Sequence, residues 1–439
     1  MAGPRLARAV PGPLITGLTA AVDALAPAPV HGPPVALYIH VPFCVSLCPY
    51  CDFVVYAGAV ARGPAARVGA YVEALRTEIG LRADAADAAF GAPGSPGRPA
   101  LETVYVGGGT PTLLSSDALA GLLDLVRVRF GIVNGAEVTI ESNPGPDERG
   151  DARALVAAGF NRLSLGAQSM DEASLRRLGR RHRPGDVAAA VGEARAAGFG
   201  SVSLDLLYDA PGQSVEAWSD TLDAAMALGP DHVSAYALTL DDPDEEGLTG
   251  PLGDHLPTTT GARRWRKAAV REQSDDRAAE HYQLAVDRLG AAGYRGYEIS
   301  NWGRPGHESR HNLVYWQRRP YEAVGPGAHA FDEVVRRWNA ARLDGYLAAL
   351  TRAGGSEPVL PPGGSEAVSP ADAAAEAVIL ALRLDTGLPL EGAEVEPLGP
   401  HLEWALKMGL LGRFEDDGER VRLTTRGRLL SNELFARLV

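Results

Sequence analysis

The chain has 439 residues, 46% of them hydrophobic, and a formal net charge of −13. That length predicts two or three domains with sizeable cores, the composition excludes wholesale disorder, and the acidic balance argues against a nucleic-acid binder, which needs a basic face. Only three cysteines occur, all within eight residues, so there is no disulfide framework and a reducing, cytoplasmic setting is expected.

Residues 1–34 read as a loose Ala/Pro-rich leader, because Pro11, Pro13 and Asp23 break its apolar stretch and exclude a membrane helix. From residue 35 short β-rich runs alternate with longer Ala/Leu/Arg-rich stretches. The predicted strands are 36–40, 103–108, 137–142, 162–168, 201–208 and 232–240. Helices are predicted over 68–86, 116–130 and 186–198. Most connections are long enough to return the chain for a parallel neighbour, and six such units predict an α/β fold, a partial (β/α)6 barrel. Polar residues gather at the C-terminal ends of the runs, where such barrels carry their sites.

The core is expected over 35–281, with a long acidic loop at 241–264, followed by an extension over 282–353 that packs on it. A Gly/Pro-rich linker (354–371) then leads to a smaller C-terminal α+β domain over 372–439, winged-helix-like in its order of helices and hairpin. DNA binding is not expected of that domain, since residues 366–439 carry thirteen acids against eight Lys and Arg.

The chemistry concentrates in YIHVPFCVSLCPYCDF (38–53), where Cys44, Cys48 and Cys51 have the spacing C-x₃-C-x₂-C. Three thiolates can hold three irons of a [4Fe–4S] cluster and leave the fourth open to a small chelating molecule. Pro42 and Pro49 favour a loop that wraps the cluster. The competing readings are a Cys₃His zinc site completed by His40, and three inert buried thiols. VGGGTPT (106–112) follows the second strand, and its glycines allow a ligand to approach the backbone closely. Glu141, Gln168 and Asp205 lie at or within successive later strands and Arg180 sits just beyond the fourth, as residues that can bind hydroxyls and a carboxylate.

With its flanks, the cysteine motif resembles that of the radical S-adenosylmethionine (SAM) enzymes, and within them the oxygen-independent coproporphyrinogen III oxidase branch. The resemblance implies that Tyr38, Gly108, Gly109, Thr110, Glu141, Gln168, Arg180 and Asp205 contact SAM, and that the three cysteines hold the cluster. The oxidases typically carry a further cysteine two places after the third, where this chain has Phe53. HNLVYW (311–316) matches the H-N-x-x-Y-W motif of the sister family of haem chaperones, HemW. That likeness implies haem as a third bound group, with His311 as a candidate axial ligand and Asn312, Tyr315 and Trp316 around the porphyrin. A His-Asn pair near aromatics can equally serve only to fasten a loop.

Two functions follow from the resemblance: a haem chaperone that passes haem to acceptor proteins, respiratory ones by family expectation, or a radical oxidase acting on porphyrinogen propionates. Any membrane contact would be peripheral, and a homodimer is possible. The chain departs from the family pattern at Ser309, where relatives often have cysteine. It departs again at Asp209, in YDAPGQ, where the commoner Y-G-L-P-G-Q has glycine.

Overall fold

A computed structural model of the chain describes residues 31–438 apart from 62, 64–65, 352–356, 391–397 and 415–417, so nearly all of the expected leader lies outside the described residues. Six strands and their crossovers form the core: β1 (Ala36–Val41), α1 (Val68–Phe90), β2 (Leu101–Gly108), α2 (Ser116–Phe130), β3 (Ile132–Ser142), α3 (Ala152–Ala158), β4 (Arg162–Gln168), α4 (Glu172–Arg177), α5 (Pro184–Ala197), β5 (Ser201–Tyr208), α6 (Val215–Ala227) and β6 (His232–Ala237). Each strand pairs in parallel with the next in sequence, from β1 to β6. The expected partial (β/α)6 barrel is therefore the fold, and the sixth strand ends at Ala237, three residues earlier than predicted.

The local logic shows in α2. Ser115 caps it by accepting from the Ala118 N–H at 3.2 Å, and Gly131 ends it at φ 70°. Between these stops Leu119, Leu122, Leu123, Val126 and Phe130 form one apolar stripe buried against the sheet. Each such side chain contributes about 1.5–3 kcal/mol as an upper estimate.

The open edges of this sheet are not left bare. After the long loop come α7 (Thr260–Ala269), α8 (Asp275–Ala291), β7 (Arg295–Gly296), β8 (Asn301–Gly303), α9 (Arg310–Trp316), β9 (Tyr321–Val324), β10 (His329–Phe331), β11 (Val335–Asn339), α10 (Leu343–Leu350) and β12 (Gly363–Ala367). Strand β8 joins β6, and β9 to β12 extend the sheet from β1, giving twelve strands in all. Both edges of the six-stranded core are thus paired rather than exposed. Part of the stretch read as a linker forms β12, antiparallel to β11, because Gly363 and Gly364 let it lie against Trp338 where a Cβ would clash.

One buried carboxylate stitches the extension to the core. Glu78 on α1 is fully buried and accepts from Gly325 N at 2.8 Å, Asn339 Nδ2 at 2.7 Å and Tyr346 Oη at 2.7 Å.

The C-terminal unit comprises α11 (Pro370–Arg383), β13 (Leu388–Pro389), α12 (Leu398–Lys407), β14 (Leu411–Arg413), β15 (Arg420–Leu423), α13 (Thr425–Leu429) and α14 (Ser431–Phe435). Its helices surround a three-stranded antiparallel sheet ordered β13-β15-β14 and enclose their own apolar core. It docks on the extension through Arg383, whose guanidinium lies 2.7 Å from the buried Glu298 carboxylate and 4.1 Å above the Trp316 ring. Among the described residues no helix is long and apolar enough to cross a membrane.

Candidate functional site

The three cysteines lie in the loop that leaves β1. Its neck is closed by Cys44 N–H donating to Tyr56 O at 3.0 Å and Tyr56 N–H donating to Pro42 O at 2.6 Å. Phe43, fully buried, anchors the loop by an edge-on contact with Tyr71, ring centroids 5.2 Å apart. From α7, the buried Arg266 donates to Pro49 O, Tyr50 O and Cys51 O at 3.3, 3.3 and 3.0 Å. Arg266 was not legible as a site residue, because it follows the acidic loop more than 200 residues later with no motif around it.

The donor set fits a cluster better than the alternatives. Thr110 Oγ1 lies 3.5 Å from Cys44 Sγ, and Arg180 Nη1 donates to Cys48 Sγ at 3.5 Å. Hydrogen bonds to sulfur suit thiolates that share a cluster's negative charge. His40 does not join the thiols: Nε2 bonds Val54 O at 2.8 Å and Nδ1 bonds Tyr38 Oη at 3.0 Å. Burial pushes the Cys44 thiol up to about 11 and raises Cys51 strongly, so metal binding would have to draw protons off these two thiols.

The strand-end residues assemble beside this loop. Glu141 accepts from Tyr105 Oη at 2.6 Å and from Gly108 N at 2.9 Å. Gly108 has φ 110°, and a Cβ there would sit 2.5 Å from the His40 ring; one at Gly109 would meet Phe43 O at 2.6 Å. The glycine turn is therefore forced by close packing against the cysteine loop. Asp205 accepts from Ser164 Oγ at 3.0 Å; burial, and next the Glu141 charge, raise it to about 6. Gln168 ends β4 at φ 63°, a conformation costly for a non-glycine residue.

Arg180 crosses the site. It donates to Gly166 O at 2.9 Å and to Asn143 Oδ1, while Asn143 Nδ2 donates to Thr110 Oγ1 at 2.9 Å. Burial works against its charge, but Tyr50 and Cys48 outweigh that and hold the guanidinium cationic. Its Nε is buried with no hydrogen-bond partner among the described residues, a donor of the kind that a ligand carboxylate would satisfy. Asp209 does adopt the left-handed backbone, at φ 53°, with its carboxylate gripped by Arg277 Nε at 2.9 Å.

The HNLVYW segment is helix α9, capped by Ser309, whose Oγ accepts from Asn312 N at 3.3 Å. His311 is only 1% exposed, and both ring nitrogens are engaged, Nδ1 with Thr103 Oγ1 at 2.7 Å and Nε2 with Tyr315 Oη at 2.8 Å. Its ring stacks on Tyr105 with centroids 5.0 Å apart, and burial lowers its pKa to about 3. In this geometry both His311 nitrogens bond protein groups, and the ring ties Thr103 on β2 to Tyr315. Tyr315 and Trp316 do face open space, in a cleft of about 1330 Å³ that also takes in Tyr38 and Phe53 from the cysteine side.

Comparison with known proteins identifies this arrangement. Residues 38–225 match the Radical SAM superfamily and residues 368–430 match the HemN C-terminal domain. The chain is 41% identical over 415 residues to "Heme chaperone HemW" of Mycobacterium tuberculosis, covering 94% of this chain and 96% of that one. It is 30% identical to the protein of the same name from Bacillus subtilis, over 91% of this chain and 97% of the other. Among solved structures, coproporphyrinogen III oxidase (HemN) of Escherichia coli shares the fold with a TM-score of 0.73 at 24% identity, over 96% of this chain and 92% of that one. With its cysteine loop, its glycine turn and an HNLVYW helix packed behind both, this chain belongs to the HemW family of the radical SAM superfamily.

Proposed function

We propose that the protein is a haem chaperone: it carries a [4Fe–4S] cluster and SAM at the barrel mouth, takes up haem in the adjoining cleft, and hands it to acceptor proteins. The observation that carries this reading is Phe53. Where the oxidases typically place a further cysteine this chain has an aromatic ring, and that ring lines the cleft. Family membership favours the same reading over the oxidase.

Cys44, Cys48 and Cys51 would hold the cluster, which when bound supplies an open iron able to chelate an amine and carboxylate. Arg180 orients the carboxylate, Gly108 and Gly109 let the ligand's methionine end lie against the backbone, and Glu141 and Asp205 accept from ribose hydroxyls. Tyr38 closes that side through its bond to His40. Ser309, accepting from Asn312 N, caps the helix that presents Tyr315 and Trp316, and His311 holds Tyr315 in place.

The setting is cytoplasmic and the acceptors are haem proteins, respiratory ones by family expectation, with any membrane contact peripheral. Incubating the cluster-loaded protein anaerobically with coproporphyrinogen III, SAM and a one-electron reductant tests the assignment. No protoporphyrinogen IX is expected, and its formation at steady turnover would assign the chain to the oxidases.

A further inference from the structure

We infer that Asn143 is a positioning residue for the iron–sulfur cluster: its side-chain amide aims Thr110 at Cys44 and Arg180 at Cys48, and so raises the potential at which the cluster takes up an electron. This rests on the proposal that Cys44, Cys48 and Cys51 hold a [4Fe–4S] cluster, and it names a residue that tunes that cluster without ligating it.

Asn143 follows directly on β3, and Pro144 after it disfavours helical backbone there. The turn is held by Ser142 Oγ donating to Asn143 O at 3.1 Å and Arg149 Nη1 donating to Pro144 O at 3.3 Å. The amide has one arrangement that suits all its neighbours. Nδ2 donates to Thr110 Oγ1 at 2.9 Å and to Oε1 of the buried Glu148 at 3.2 Å, while Oδ1 accepts from Arg180 Nη2. Turned over, its oxygen would face the Glu148 carboxylate and its NH₂ group a guanidinium, so the network fixes the orientation.

That orientation decides where the Thr110 hydroxyl points. Thr110 is fully buried, with Oγ1 3.5 Å from Cys44 Sγ. Because Asn143 already donates to Oγ1, the hydroxyl proton is left for the sulfur, and a cluster thiolate can only accept. On the other side, Asn143 Oδ1 and Gly166 O, the latter at 2.9 Å, hold Nη2 of Arg180, whose Nη1 donates to Cys48 Sγ at 3.5 Å. Gly166 leaves room for this, since a Cβ there would crowd Gln168 Nε2 at 3.0 Å and Asn143 Oδ1 at 3.3 Å. One amide thus orients donors to two of the three sulfurs. An electron added to a cluster is shared by its sulfurs, so donors aimed at them stabilise the reduced form and raise the potential.

The test is a redox titration of the full chain, cluster reconstituted anaerobically and SAM withheld, read by electron paramagnetic resonance of the reduced cluster. Asn143→Ala should shift the midpoint potential to more negative values at parental iron and sulfide content. Thr110→Val should shift it the same way, and Thr110→Ser, which keeps the hydroxyl, should stay at the parental value. The double variant Asn143→Ala/Thr110→Val should shift by less than the two single shifts summed, because Asn143 acts partly through Thr110. A parental potential in Asn143→Ala, or fully additive shifts, would overturn the assignment. Should Asn143→Ala hold no cluster, Asn143→Ser, too short to bridge Thr110 and Arg180, decides by the same criteria. If the parent itself holds no cluster, the cluster reading falls; if it does and Asn143→Ala titrates like it, only this inference falls.

Discussion

At the scale of single residues, Asp205 illustrates how burial tunes recognition. Its carboxyl is raised to about 6 by burial and by Glu141, so near neutral pH it is ionised but within reach of protonation. Only the carboxylate accepts from two ribose hydroxyls, so SAM binding favours the ionised form and affinity should fall as the pH drops through about 6. Asp205→Asn should bind SAM more weakly at pH 7.5 and flatten this dependence; a parental pH profile in the variant would remove Asp205 from the site. The cysteines were legible at this scale because three thiols in eight residues have few explanations. His311 was legible only as a residue that matters: a motif does not record that its ring nitrogens bond Thr103 and Tyr315.

Elements explain why some residues escaped the sequence reading. The strand–helix alternation and the polar strand ends were visible because parallel strands buried on both faces have a strong composition signal. Arg266 carried none, being a single cation on α7 that reaches three carbonyls of a distant loop. Its partners are set by tertiary packing, which sequence periodicity does not encode. Arg266→Ala should leave the circular-dichroism spectrum unchanged yet lower the cluster occupancy reached on reconstitution, as measured by iron and sulfide per chain. Full occupancy with unaltered oxygen sensitivity would show that the clamp is dispensable. The acidic loop is a similar case: its composition marks only a long loop, and the structure gives it a wall of the cleft.

Over the whole molecule, a radical SAM barrel with its extended sheet and a small C-terminal unit with its own three-stranded sheet enclose a cleft between them. Glu78 joins barrel to extension, and its three neutral donors and Arg82 leave no water contact for the charge. Glu78→Ala should cost about 3 kcal/mol or more, because Arg82 would lose its buried counter-charge and Gly325 N and Tyr346 Oη their acceptor. A loss below about 1 kcal/mol in chemical denaturation would contradict that role. The twelve-stranded order was only half legible: β1 to β6 followed from the alternation, whereas β9 to β12 are short, polar and partly glycine, and pair because an open edge is available.

The central claim is that one chain holds an iron–sulfur cluster and a haem side by side. Non-haem iron, labile sulfide and haem counted on one anaerobically reconstituted, haem-loaded sample test it directly. About four non-haem irons, about four sulfides and about one haem per chain are expected. Zinc without labile sulfide, or a full cluster with no retained haem, would contradict it.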